Sequence, residues 1–164
     1  MADLKKKIET GAPGTLSYID IFARPASEPL FRNELLDFWC PIGSFSGHPQ
    51  KMEVGLCSVK ERFDRFDRME RHRYSEEIII PINGSLFIPV APPDERPDPE
   101  KVRIILVRVG EILNLYPGVW HFACGPLQTV SAGNPLDYFV LLKSGTPNDD
   151  LEMVELPRAV QILQ

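Results

Sequence analysis

The stretch GEILNLYPGVWH, residues 110–121, decides the fold of this chain. It contains a glycine, a short apolar run, a Pro-Gly turn and a Trp-His step. A Pro-Gly pair favours a tight turn, because proline fixes φ and glycine accepts a positive φ. The strand that follows the turn therefore carries one imidazole, that of His121, into the interior of a β-barrel.

The rest of the chain also predicts short strands joined by turns. The 16 prolines fall between apolar runs rather than inside long periodic segments, which is typical of all-β proteins. The candidate strands are rich in Ile, Val, Leu and Phe. They are Ser17–Phe22, Met52–Val59, Ile78–Ile82, Leu86–Val90, Val102–Val107, Glu111–Leu115, Val119–Cys124, Tyr138–Lys143 and Met153–Leu156.

Two local signals predict how the middle strands are connected. Asn83 and Gly84 lie between two apolar runs and predict a type I′ turn, because both central residues of that turn need positive φ. We therefore expect a β-hairpin over Glu77–Pro89. The acidic, proline-rich segment Ala91–Pro99 cannot continue a ladder and predicts an exposed loop.

Three segments fit helices better than strands or equally well. Ala2–Thr10 and Glu28–Phe38 predict short flanking helices. In Lys60–His72 the apolar residues recur at three-residue spacing, which fits a helix face. A strand from about Arg65 is favoured instead, since it brings His72 beside the predicted hairpin.

The composition fits one globular domain spanning residues 1–164, with 43% hydrophobic and 25% charged residues. The net charge of −5 argues against a nucleic-acid partner, which requires clustered Lys and Arg. The N-terminus has no apolar stretch and no window approaches a membrane span. Three widely separated cysteines, Cys40, Cys57 and Cys124, favour free thiols in a reducing cytoplasm.

Four residues carry the candidate chemistry. Glu70 and His72 are two residues apart, so on a strand both side chains point to the same face. Glu77 begins the next strand, and His121 comes from a distant one. If they converge, two imidazoles with one or two carboxylates form a ligand set suited to Ni, Mn, Fe or Zn in an open site. Such a metal would polarise a carbonyl or hydroxyl of a bound acid.

Each of these residues also has a simpler explanation when taken alone. His72 fits a surface charge run, because it lies between two arginines. Trp120 and His121 fit a packed aromatic residue beside a satisfied histidine. Cys124 fits a small core residue better than a nucleophile.

The spacing of the two half-sites favours a shared site. Glu77 lies seven residues before Gly84, Gly110 lies eight before Gly118, and His121 lies three after Gly118. These intervals resemble the two motifs of a cupin, whose halves meet around one small-molecule site. In the first motif, a glutamate stands at position 70, where a histidine is common.

Within the cupins, the span from Glu70 to about Pro157 is similar to the ureidoglycolate lyase family. These proteins, long called ureidoglycolate hydrolases, are small cytosolic cupins of allantoin catabolism. The residues that carry the resemblance are Glu70-Arg71-His72, Ile80-Pro81, Asn83-Gly84, Arg103, Asn114, Val119-Trp120-His121, Asp137-Tyr138-Phe139, Gly145 and Asn148.

The resemblance implies a mostly β, cupin-type antiparallel barrel (a double-stranded β-helix or jelly roll) that forms a homodimer. It implies cleavage of ureidoglycolate, a small carboxylic acid, to glyoxylate and urea with a divalent metal. The metal or substrate ligands would be His72, Glu77 and His121, and Glu70 would be a fourth ligand or the base.

Further roles are expected for residues around these ligands. Tyr116 would donate a proton or hydrogen-bond the substrate. The substrate-binding residues would be Arg103, Trp120 and Lys143.

The chain departs from the family pattern near the site. Tyr116 and Phe122 stand where the family usually has histidines, and Leu142 and Lys143 where it tends to have an acidic residue and an arginine. These changes suggest a different substrate or a weakened activity. If Leu142 and Phe122 both face the barrel interior, the lyase function is less favoured.

Two alternatives to the lyase therefore stay open. One is a cupin that binds a small ligand or a metal without turnover. The other is a cupin isomerase or oxygenase that acts on a different small carboxylic acid.

Overall fold

The computed structural model describes residues 3–11, 16–23, 26–32, 37–38, 42, 51–131 and 133–163. Over this part the chain is almost entirely β structure. The strands are β1 (Leu4–Thr10), β2 (Ile19–Phe22), β3 (Phe31–Arg32), β4 (Asp37–Phe38), β5 (Met52–Val59), β6 (Arg65–Arg71), β7 (Glu77–Pro81), β8 (Leu86–Ala91), β9 (Arg103–Val107), β10 (Ile112–Leu115), β11 (Trp120–His121), β12 (Gly125–Pro126), β13 (Leu136–Lys143) and β14 (Glu152–Leu163). The helical segments are a 3₁₀ turn at Pro99–Lys101 and α1 (Thr146–Asp149).

Two sheets contain nearly all of these strands. The larger has the order β11-β6-β14-β1-β9-β8-β12, and β11 also pairs with β8, so six of its strands close into a ring. The smaller has the order β2-β10-β7-β13-β5, and β3 pairs with β4 separately. Pairing is antiparallel except for β1, which runs parallel to both β14 and β9. The predicted mostly β, cupin-type barrel is confirmed.

Two apolar cores lie on opposite faces of the ring strands. Successive residues of a strand point to opposite faces, so β8 and β9 supply both cores. The barrel core lies between the ring and the five-stranded sheet, and it includes Leu86, Ile88, Val90, Ile105, Val107, Leu113 and Leu115. The ring core lies inside the ring, and it includes Phe66, Met69, Phe87, Ile104, Trp120 and Val160. Each fully buried side chain of this size contributes about 1.5–3 kcal/mol.

Most predicted strands are confirmed, with ends that differ by one or two residues. Met52–Val59 has the predicted bounds. The strand predicted at Val119–Cys124 is shorter, since β11 covers only two of its residues. The strand predicted at Met153–Leu156 is longer, because β14 continues past an irregularity in its pairing with β6.

The predicted N-terminal helices are wrong. Within the segment predicted as a helix at Ala2–Thr10, Leu4–Thr10 forms β1, which pairs on both sides, with β14 and with β9, and Ala2 lies outside the described residues. These long-range pairings override the local pattern. Within Glu28–Phe38, the described residues include the short strands β3 and β4 and no helix, and residues 33–36 lie outside the described part. The strand favoured from Arg65 is confirmed as β6.

The hairpin predicted over Glu77–Pro89 is also wrong. β7 belongs to the five-stranded sheet and β8 to the ring, so the connection crosses from one sheet to the other. Asn83 is not among the positive-φ residues, as a type I′ turn would require. Its side chain instead accepts from Asp137 N at 2.8 Å and donates to Pro135 O at 3.0 Å. The asparagine thus holds the start of β13.

We predict that Gly125→Ala destabilises the protein by about 1–3 kcal/mol, as overpacking of a filled core does. A Cβ at position 125 would lie 2.1 Å from Cζ of Phe87, a fully buried residue of the ring core. Urea unfolding measures the change. The matched control is Gly133→Ala, because a Cβ at position 133 meets nothing within 4 Å. Equal stability of the two variants would contradict this packing argument.

Candidate metal centre

Three buried ligand atoms meet in the barrel interior. His121 Nε2 lies 2.9 Å from Glu77 Oε2, and His72 Nε2 lies 3.4 Å from the same oxygen. Ligand atoms of the three residues all lie within 4.8 Å of one another. The side chains come from the start of β7, the end of β11 and the residue after β6. The structure therefore brings together the three residues that the sequence predicts as metal ligands.

Backbone carbonyls fix the orientation of both imidazole rings. His72 Nδ1 donates to Asp150 O at 2.8 Å, and His121 Nδ1 donates to Val119 O at 3.1 Å. A carbonyl oxygen only accepts hydrogen bonds, so each Nδ1 carries the proton. Each Nε2 then presents a lone pair toward Glu77. This tautomer is the one that a metal-binding histidine needs.

The donor set fits a divalent cation. Glu77 Oε2 and His121 Nε2 are buried without a hydrogen-bond partner in the described part of the chain, because both present lone pairs. Two atoms bound at about 2.1 Å and at a right angle to one cation lie about 3 Å apart. The observed 2.9 Å and 3.4 Å separations match such an arrangement. Protons on the imidazoles are the other way to balance the buried carboxylate.

Electrostatics couples the three groups. Burial of Glu77 would raise its pKa, but when His121 and His72 are protonated their charge and hydrogen bonds hold that pKa well below its ordinary value. Burial of His121 would lower its pKa, and the Glu77 carboxylate outweighs this effect and raises it. The same balance raises the pKa of His72. Without a metal, the site therefore holds protons more tightly than free imidazole does.

Glu70 lies at the open edge of this centre. It pairs directly with His121 across β6 and β11, and its Oε1 is 3.6 Å from His121 Nε2. Its side chain is 31% exposed, against 11% for that of Glu77. Glu70 therefore reaches both the buried ligands and solvent.

A contact on the ring-core face of the sheet joins the two strands that position the histidines. The guanidinium of Arg71 lies 4.2 Å from the ring centroid of Trp120, within the range of a cation–π contact. Arg71 also binds Glu152 and the Asp94 carbonyl, and Trp120 Nε1 donates to the same carbonyl. Each partner directly precedes a histidine ligand, so this contact sets the spacing of the two rings.

The predicted Pro-Gly turn contacts the first half-site. Gly118 has a φ of 82°, which glycine adopts without strain. Its backbone N–H donates to His72 O at 2.6 Å. The residue that permits the turn before β11 thus also fixes the backbone of the other histidine ligand.

The remaining predicted residues are engaged elsewhere. Tyr116 donates to Asp20 Oδ2 at 2.6 Å, and this hydrogen bond raises the pKa of the phenol. Arg103 makes a bidentate salt bridge with Glu9. Trp120 is fully buried in the ring core.

Lys143 ends β13, one residue after Leu142, so the two side chains lie on opposite faces. Leu142 packs against the barrel core and pairs directly with Glu77 across β13 and β7. The face of Lys143 is therefore turned away from the ligand cluster.

Of the two substitutions that the sequence analysis singled out, only Leu142 faces the barrel interior. Phe122 belongs to the ring core instead, where its ring stacks on that of Phe66 at 5.2 Å. The barrel interior is thus more apolar than the family pattern at position 142 and is unaffected by the change at position 122.

Sequence reasoning missed Asp150 and the role of Arg71. Asp150 binds the turn after His72 from a position 78 residues away, and local spacing gives no signal for such a partner. Among the cysteines, Cys124 lies in the barrel core, where burial raises the pKa of its thiol. Cys57 and Cys124 are free thiols, and Cys40 lies outside the described residues.

The fold and the site define a cupin-type β-barrel with a two-histidine, one-glutamate centre. The family model described as ureidoglycolate lyase matches residues 40–163. The chain therefore belongs to the ureidoglycolate lyase family.

Curated relatives named ureidoglycolate lyase support this assignment. The protein from Agrobacterium fabrum is 32% identical over 88 residues, which cover 54% of this chain and 49% of the relative. The protein from Azotobacter vinelandii is 41% identical over 54 residues, 32% of each chain. The matched regions thus span about half of the relatives' length or less.

Solved cupin structures are more distant. Oxalate decarboxylase from Bacillus subtilis is 16% identical with a TM-score of 0.44, covering 65% of this chain and 24% of that one. RmlC from Streptococcus suis is 9% identical with a TM-score of 0.43, covering 57% of this chain and 44% of that one. Separately, none of the described helices is long and apolar enough to cross a membrane.

We predict that the metal-free protein loses stability as pH rises above about 6.5. The pKa values of His72 and His121 are raised in the folded state, so the folded chain binds more protons than the unfolded one. Their contribution is full below the unfolded value of about 6.5 and is lost as pH passes the folded pKa values. Urea unfolding in a chelator between pH 6 and pH 9 measures this slope.

The control for this pH dependence is Glu77→Gln, which removes the charge that raises both pKa values. Its slope should be smaller than that of the wild type. Identical slopes in the two proteins would show that other groups cause the pH dependence.

Proposed function

We propose that this protein is a carbon–nitrogen lyase that cleaves ureidoglycolate to glyoxylate and urea at the His72–Glu77–His121 centre. The observation that carries the proposal is the convergence of three buried ligand atoms beside one accessible carboxylate, that of Glu70. Membership in the ureidoglycolate lyase family supports the choice of substrate.

The reaction needs two proton transfers, one from the substrate to a base and one from that base to the leaving group. Glu70 takes the proton from the carbinol hydroxyl of the substrate, the C–N bond breaks, and the same proton goes to the departing urea nitrogen. A carboxylate at the edge of the site suits this task, because it can accept a proton and reaches a bound ligand from the solvent side. No water is consumed, so the site needs no separate nucleophile.

The ligands for a divalent metal would be His72, Glu77 and His121, with Ni, Mn, Fe and Zn all compatible with the donor set. Such a cation would stabilise the negative charge that develops on the substrate oxygen. The hydrogen bonds from the two Nδ1 atoms to backbone carbonyls keep both Nε2 atoms free to bind the metal.

Arg103 is the proposed anchor for the substrate carboxylate. The strand register puts Arg103 opposite Val90, and Val90 opposite His121. The side chains of such directly paired residues share one face of the sheet. The backbone of Arg103 is thus two strands away from that of His121, a distance of about 10 Å. Because Glu9 pairs with Arg103, binding of the substrate there requires exchange of that partner. Trp120, Tyr116 and Lys143 are less well placed for substrate contact.

A cupin that binds a small ligand without turnover is the second candidate. The observation that favours it is Leu142, which lies directly opposite Glu77 and makes the wall of the site apolar. Membership in a lyase family favours the enzyme over this candidate.

Glyoxylate release from ureidoglycolate by purified, metal-loaded protein tests the lyase. We expect His121→Ala to lose both bound metal and turnover, because it removes a ligand. Glu70→Gln should keep the metal and lower kcat by about 10² to 10⁴-fold, the usual contribution of a general base. Glu61→Gln, which changes an exposed carboxylate outside the site, is the control. If the wild-type protein binds metal and ureidoglycolate but releases no glyoxylate, the lyase proposal is wrong. The second candidate, a cupin that binds a ligand without turnover, would then be favoured.

We further propose that the protein is a cytoplasmic homodimer. The outer face of the five-stranded sheet exposes Val54 by 66%, Leu56 by 62% and Phe139 by 41%. Leu56 and Phe139 pair directly across β5 and β13. In the described part of the chain β5 pairs only with β13, so the patch reaches a sheet edge. Apolar patches at an open edge favour association with a second copy.

We predict that Leu56→Glu converts the dimer to a monomer, because a second copy would bury the new charge without a partner. Sedimentation velocity measures the mass. The control is Leu127→Glu, which adds the same charge at a 41% exposed leucine elsewhere on the surface and should leave the dimer intact. A monomeric wild type, or dissociation of both variants alike, would refute an interface at this patch.

A further inference from the structure

The carboxylate of Asp150 binds the turn that follows His72. Asp150 lies between α1 and β14, and its Oδ1 accepts from Arg73 N at 2.8 Å. Its Oδ2 accepts from Tyr74 N at 3.0 Å and from Ser75 Oγ at 2.8 Å. Three consecutive residues after the histidine thus donate to one carboxylate. Hydrogen bonds to an ionised acceptor are stronger than neutral ones.

The main chain of Asp150 binds the ring of the same histidine. Its carbonyl oxygen accepts from His72 Nδ1 at 2.8 Å. This bond keeps the proton on Nδ1 and turns the Nε2 lone pair toward Glu77, 3.4 Å away. One residue therefore binds both the turn that follows the histidine and the imidazole itself.

The turn has little other support from packing. The side chain of Arg73 is 48% exposed and Tyr74 is 77% exposed, so neither contributes a buried apolar contact. Arg73 pairs with Glu152, but that salt bridge holds the guanidinium and not the backbone of the turn. The buried hydroxyl of Thr146 extends the network by donating to Ser75 Oγ at 3.1 Å.

We propose that Asp150 is a positioning residue that holds His72 in the tautomer and orientation needed for metal binding. The part of this inference that concerns metal binding rests on the proposed function. The part that concerns the tautomer of His72 in the metal-free protein is independent of that function. Outer partners of metal ligands of this kind typically change metal affinity by about 10- to 100-fold when they are lost.

The experiment compares Asp150→Ala with Asp149→Ala in the full chain. Asp149 is the neighbouring, exposed carboxylate, so its variant removes the same charge without touching the turn. Calorimetric titration with Ni²⁺ measures affinity, and the ¹⁵N shifts of the imidazole nitrogens report the tautomer of His72 at a pH that keeps the rings neutral. With three histidines in the chain, assignment through His72→Gln is direct.

We expect Asp150→Ala to bind Ni²⁺ about 10- to 100-fold more weakly. It should also show a mixture of tautomers at His72, because without the carboxylate the turn shifts and the ring moves away from the carbonyl of residue 150, which the substitution keeps. Asp149→Ala should match the wild type in both measurements. If Asp150→Ala does not fold, Asp150→Asn, which keeps one acceptor oxygen, should show the same two changes to a smaller degree.

Unchanged affinity together with an unchanged tautomer in a folded Asp150 variant would overturn the proposal. So would equal changes in the Asp149 control, since these would be an effect of net charge. If the wild type binds no Ni²⁺, the metal-dependent function fails, and the tautomer comparison alone decides the role of Asp150.

Discussion

The buried carboxylate of Glu77 is the constraint on which this structure depends. An ionised group removed from water costs several kcal/mol unless a partner compensates it, and the surrounding barrel core is apolar. Two imidazoles compensate it here, and they come from parts of the chain about 50 residues apart, His72 and His121. The barrel must therefore bring the end of β6, the start of β7 and strand β11 to one point. A proton or a divalent cation balances the charge there, so the same geometry serves stability and chemistry.

Strand alternation explains how this polar point coexists with tight packing. The histidines and Glu70 face the barrel interior, while their neighbours Arg71 and Trp120 face the ring core on the other side of the sheet. The cation–π contact between these neighbours joins the two histidine-bearing strands without occupying the site. Ligand spacing is thus set by residues that no ligand touches. The two cores have separate tasks, since one encloses the site and the other fixes the strands that form it.

Much of the fold and the centre of the site were predictable from sequence, because their signals are local. The Pro-Gly turn before His121, the strand Met52–Val59 and the spacing of His72 and Glu77 depend on backbone preferences and side-chain alternation. The predictions failed where distant residues decide. Asn83 and Gly84 resemble a hairpin turn, yet Asn83 is used to hold β13. Leu4–Thr10, predicted as part of a helix, forms a strand because β14 and β9 lie beside it. The partners of Arg103 and Tyr116, Glu9 and Asp20, likewise lie far away in sequence.

The parallel pairing of β1 with β14 also governs how the protein can assemble. Leu4 pairs with Val160, so two segments that lie far apart in the sequence must meet before the ring can close. Contacts of such long sequence separation form slowly, because a large loop must close before they contribute any energy. During synthesis β1 therefore keeps one edge unpaired until residues 160–163 have emerged, because β9 covers only the other edge. Until then the ring core stays open, and exposed strand edges of this kind are where growing chains aggregate.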